Sequence, residues 1–200
     1  MESGQLWKFS MNVSPTNCSA SYSSRLSECA VRARVGFVLA IADWARTTIK
    51  ADEDTAALIR AALDLAWRWL QAADVSGLEL YETVAGDSQA LDDDGIQEYM
   101  VAEDQQFTLV TITSAIIYTS WHAYVAAGEK RRPEPICEAG DEDIDITVGF
   151  AKQMPIGFNQ AAVDRLAQYC INYHKAADAN TLGEPISRET MMQVADWASA

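Results

Sequence analysis

The 200 residues, 49% of them hydrophobic and 22% charged, suffice for one sizeable core and fit a single globular domain. A formal net charge of −14 argues against a nucleic-acid partner, whose phosphates need lysine and arginine, and against docking on an anionic membrane. The acidity is regional, because residues 69–151 hold seventeen acids against three cations and so carry the whole net charge.

The first 23 residues, rich in serine and asparagine, lack the apolar core of an export signal and are expected to form a flexible tail, with Met1 or Met11 as the start. Residues 24–200 are expected to be one domain. Cys18, Cys29, Cys137 and Cys170 show no CxxC spacing, which fits reduced thiols in a cytoplasmic protein.

Abundant alanine with sparse glycine and proline favours helices. Apolar residues at Leu26, Ala30, Ala33, Phe37, Ile41 and Trp44 predict one amphipathic helix over 25–49, capped by Ser24. Asp52, Glu53 and Asp54 start a second helix that runs to about Ala73. Ser76 and Glu79 form a capping box, with Val75 and Leu80 as its hydrophobic staple, for a short helix that ends near Gly86.

Asp92–Asp94 with Gly95 predict a turn. Asp94 and Gln97 then cap a helix that continues, with a kink, into Gln105–Gly128, a run with no charge apart from His122. Its β-branched residues would suit a strand, but its length and lack of turn signals favour helix. Thr108, Thr111, Thr113, Ser114, Thr119, Ser120 and His122 make the run too polar for a lone membrane span, so it is read as the core helix. Arg131–Pro135 predict a loop, and helices are expected over 142–153, over 159–180 capped by Asn159, and over 188–199 capped by Ser187. Phe158 with Val163 and Ile186 with Met191 serve as staples. The expectation is an all-α, irregular bundle of seven to eight helices.

Chemistry is thinly signalled. His122 and His174 are the only histidines, with Asp178 at i+4 from the latter, and no HExxH or ExxH pattern joins them. No nucleophile elbow, phosphate loop or dinucleotide fingerprint is present. No metal or other cofactor is expected. An all-α enzyme with a histidine–carboxylate site and a plain adaptor module are the alternatives to a binding protein. The unbalanced acidity favours binding, since a field of one sign repels itself but steers a basic partner into contact. The candidate contacts are Asp87, Asp92, Asp93, Asp94, Glu98, Glu103 and Asp104 before the core run, and Glu138, Asp141, Glu142, Asp143 and Asp145 after it. Trp67, which cannot share a helix face with Trp69, is added as a partly exposed aromatic anchor. Monomer and homodimer are both compatible with this reading.

Four stretches within Val31–Ala151 carry a resemblance: RVGFVLAIADWA, AALDLAWRWLQAADVSGLELYE, SAIIYTSWHAYVAAGEK and RPEPICEAGDEDI. With the turn formed by Gly77, Leu80 and Tyr81, the pattern resembles immunity family six of bacterial polymorphic toxin systems. The resemblance implies an all-α fold and non-catalytic neutralisation of a cognate protein toxin. It supplies no contact residues. A toxin with a basic surface, such as the substrate cleft of a nuclease, is the partner that the acids would suit.

Overall fold

Ten helices and no strands form among the residues that this computed structural model describes, 20–86 and 90–198. The class is as expected, and there are more helices than seven or eight for reasons visible at each junction.

The expected first helix is two, α1 (Tyr22–Leu26) and α2 (Val31–Thr48). Ser21, not Ser24, caps α1 by accepting from the Ser24 amide. Between the two helices the backbone turns outward to pair elsewhere. The Ala30 amide donates to the His174 carbonyl at 2.9 Å, and the Ala176 amide donates to the Glu28 carbonyl at 2.9 Å. The carbonyls of Thr181 and Leu182 then accept from Val31 and Arg32 at 3.0 Å, satisfying the open end of α2, which has no side-chain cap. Tyr22 is buried and its ring lies 5.4 Å from that of Phe37, so Tyr22 and Ser23 are part of the domain instead of a tail.

Asp52 caps α3 (Glu53–Ala72), and the predicted capping box starts α4 (Gly77–Ala85). Asp93, one residue earlier than expected, caps α5 (Asp94–Ala102). The uncharged run is a separate helix, α6 (Gln106–Ala126), because Asp104 has φ of 57° and breaks the path between them. Aspartate tolerates this left-handed conformation better than most residues. The expected loop after α6 contains a short helix, α7 (Glu134–Cys137), whose Ile136 is fully buried. α8 (Asp143–Ala151), α9 (Gln160–Tyr173) and α10 (Arg188–Ala195) follow. α9 stops well short of Asn180, since residues 174–182 serve as partners for α2.

α6 is the axis of the bundle, packed by α2, α4 and α8 with further contacts to α3, α5 and α7. Its hydroxyls are compatible with burial because they bond locally. Thr111, Thr113 and Thr119 donate to backbone carbonyls three or four residues back, at 2.7, 3.2 and 2.7 Å. Ser120 instead reaches the Gly77 carbonyl at 2.8 Å. One buried apolar cluster runs from Tyr22 to Ala195. No helix among the described residues is long and apolar enough to cross a membrane.

Candidate functional site

The α5 edge carries solvent-facing acids. Leu91, fully buried, pins the preceding loop, and the amides of Leu91 and Asp92 donate to Thr83 and Val84 carbonyls at the end of α4. This docking turns Asp92, Asp93 and Asp94 outward, all three exposed. Asp93 accepts from the Gly95 amide at 2.9 Å. Burial, then the charges of Asp93 and Asp94, raises the Asp92 carboxyl above its ordinary range. Within α5 only Met100 is buried, while Tyr99 donates from its hydroxyl to the Lys50 carbonyl at 2.5 Å. Asp94, Glu98, Glu103 and Asp104 are exposed and have no cation within ion-pair distance among the described residues. Asp87 lies outside the described residues.

The acids at the start of α8 behave differently. Asp141 accepts from the Arg34 guanidinium, which is buried, and from the Tyr118 hydroxyl at 2.7 Å. Asp145 accepts from the Tyr22 amide at 2.8 Å and from the Ser23 hydroxyl, tying α1 to α8. Asp143 accepts from the Gly140 amide at 3.0 Å. Burial raises its carboxyl to about 6, with Glu142 and Asp141 adding to the rise against that hydrogen bond. Glu138 and Glu142 alone of this group are exposed. Since Tyr118 sits twelve residues into α6, the two acidic groups are separated by roughly 20 Å along that helix. They are two surfaces, not one.

Trp67 is a correction. It is 3% exposed, and its indole N–H donates to Asp43 at 2.8 Å. Asp43, 1% exposed, also accepts from Arg188 through Nε at 2.6 Å and through Nη2. Arg188 further pairs with Asp64. These groups border an open cleft of about 650 Å³ lined by Asp43, Arg46, Arg60, Asp64, Arg188 and Glu189 among others. The cleft holds neither histidine nor cysteine, and Asp43, Asp64, Arg46 and Arg188 are already paired with one another. It is an ion-pair junction of α2, α3 and α10.

Both histidines and two of the cysteines lie against the bundle's packed elements. His122 is 3% exposed, edge-on to Tyr118 at 4.6 Å between ring centroids. Burial, then Arg34, holds its imidazole well below the ordinary range. His174 caps the end of α9. Burial pushes the Cys29 and Cys170 thiols up, away from the reactive thiolate. Among the described residues no group of three histidine, cysteine or acidic side chains gathers to hold a metal.

The junction of α4 with the end of α6 was not legible beforehand. The start of α4 meets the end of α6, Gly77 touching Ser120 and Tyr124. Next to this contact in sequence, Leu78 and Val125 are 48% and 42% exposed. Tyr81 lies one turn beyond Leu78 on α4, half-buried. Burial, then Asp92, raises its hydroxyl, and Glu129, Glu82 and Tyr81 act similarly on the largely desolvated Tyr124. The only hint in the sequence is that Leu78 lies off the stripe of Leu80 and Val84.

Residues 33–154, from α2 through α8, match the family model described as Immunity protein Imm6. No curated protein and no solved structure matches the chain.

Proposed function

Since this chain belongs to the Immunity protein Imm6 family, we propose that it protects the cell that makes it by binding a cognate polymorphic toxin in the cytoplasm and blocking it without catalysis. The family match over more than half of the chain is the observation that carries this reading. The charge distribution supports how it would work. Asp92, Asp94, Glu98, Glu103 and Asp104 form an exposed acidic edge with no paired cations among the described residues. Such an edge attracts a basic surface, raises the association rate and fixes orientation more than it adds raw affinity. A toxin whose active cleft binds nucleic acid would present such a surface.

Glu138 and Glu142 remain free to contribute from the second acidic group. Asp141, Asp143 and Asp145 serve the bundle itself, through Arg34, Gly140 and the start of α1. Trp67 is withdrawn as an anchor, since its ring is in the core.

The test is co-expression with the toxin domain encoded beside this protein's gene. Cells should survive only when the folded protein is present, and the two should co-purify as a stoichiometric complex. Death of cells that contain abundant folded protein overturns the reading.

A further inference from the structure

We propose that the contact with the toxin is centred on the apolar ridge of Leu78, Tyr81 and Val125, at the junction of α4 with the end of α6, and that the acids beside it guide the partner there. The proposal rests on the immunity reading and adds where the complex forms and which chemistry holds it.

Three observations converge on the ridge. First, it is apolar and open. Leu78 and Val125 are two of six large hydrophobic side chains exposed among the described residues, and the close contact of Gly77 with Tyr124 brings their helices together at that point. Leu78 and Tyr81 are one turn apart on α4 and share a face.

Second, the ridge is bordered by negative charge. Asp92 and Glu82 lie near enough to Tyr81 and Tyr124 to raise their hydroxyls, as does Glu129. Arg68, the cation that precedes this region, is paired with Asp74 at 2.7 Å, and no lysine or arginine follows until Lys130. Lys130, Arg131 and Arg132 follow the end of α6, and Arg132 Nε donates to the Glu129 carbonyl at 3.1 Å, so the negative border of the ridge is carried by Glu82 and Asp92 on its α4 side. Asp92 is also the first residue of the acidic edge, so ridge and edge are continuous.

Third, the rest of the chain covers other flanks. The helices outside the family match, α1, α9 and α10, pack on α2, α8 and one another. The principal neighbours of α4 are α6 and α3.

An apolar centre within a polar, charged rim is the usual composition of a protein interface, and energy concentrates at the centre. The occupant that fits is a protein surface with one or two apolar side chains flanked by lysine or arginine. A nucleic acid would be repelled by the same acids.

The experiment uses the full-length protein and the toxin domain encoded beside its gene. Leu78→Lys with Val125→Lys should weaken the complex by at least about 30-fold and abolish protection, with melting temperature near that of the parent. Ile156→Lys, a similarly exposed position elsewhere, should leave both unchanged. In the unaltered complex, amide exchange should slow around 78–82 and 125–129. Undiminished affinity in the double variant, or slowing confined to other helices, overturns the proposal. If the double variant is unstable, exchange in the unaltered complex decides alone. Failure of the unaltered protein to bind at all sinks the immunity reading instead, so the two failures are distinct.

Discussion

Gly77 lies so close to Tyr124 that a β-carbon at position 77 would stand 2.3 Å from the ring. The contact sets the spacing between α4 and α6 and gives Gly77 in the family-like turn a physical reason. Leu80, three residues on, is fully buried, and Tyr81 turns towards the surface.

Gly77→Ala is therefore expected to destabilise the fold by about 1–3 kcal/mol in chemical denaturation, although alanine is the better helix former. In a Tyr124→Ala background the same change should cost little. Equal costs in both backgrounds would mean that the ring is not the obstacle.

Asp43 should be among the most sensitive positions in the chain. Asp43→Ala leaves Trp67 and Arg188 without their shared acceptor in the interior and is expected to cost about 3–5 kcal/mol. Trp67→Phe removes one hydrogen bond and should cost about 1–3 kcal/mol. Both losses should appear in unfolding, and each folded variant should bind the toxin with unchanged association rate. A Trp67→Phe variant of unaltered stability with weakened binding would return Trp67 to the interface.

Asp143 gives a pH signature of definite sign. Its carboxyl, raised by burial from 3.8 to about 6, holds its proton in the folded protein over a range where the unfolded chain has lost it. Stability from this group is therefore complete below pH 4 and falls as pH rises through about 6. Asp143→Asn, which keeps an acceptor for the Gly140 amide, should be more stable than the parent above pH 7 by about 1–3 kcal/mol. The difference should vanish near pH 4. Melting curves across this range provide the check, and a gap that widens on acidification would reverse the assignment.

Charge reversal on the acidic edge should act on rate. Asp94→Lys with Glu98→Lys and Glu103→Lys leaves the Asp93 cap intact. Association with the toxin is expected to slow by at least about tenfold at low salt, with a shallower salt dependence and little change in dissociation. The same exchange at Glu138 and Glu142 should have a smaller effect. Stopped-flow or surface-based kinetics would separate the two groups, and a rate insensitive to the first triple exchange would remove the α5 edge from the contact.

What the amino-acid order determined by itself was local. Helix type, the capping box at Ser76 and Glu79, the acids that open α3, the caps at Asn159 and Ser187, and the central place of the uncharged run all follow from short-range hydrogen bonding and apolar periodicity. Those forces act within about a turn of helix, so they can be read from neighbours. The family-like motifs were legible for the same reason.

Only the tertiary structure decided which acids face water and where the long helices break. Asp141 is paired with Arg34 from 107 residues away and Asp43 with Arg188 from 145 away, and nothing local marks either cation as a partner. The breaks after α1 and at the end of α9 share one cause, the hydrogen bonds that join the two segments across the chain. Trp67 looked exposable because its helix bears two tryptophans on different faces, but α2 brings Asp43 to meet it and α10 brings Arg188 to the same carboxylate. Charge counts treat all carboxylates alike, whereas burial and long-range pairing divide them into those that hold the bundle and those left for a partner.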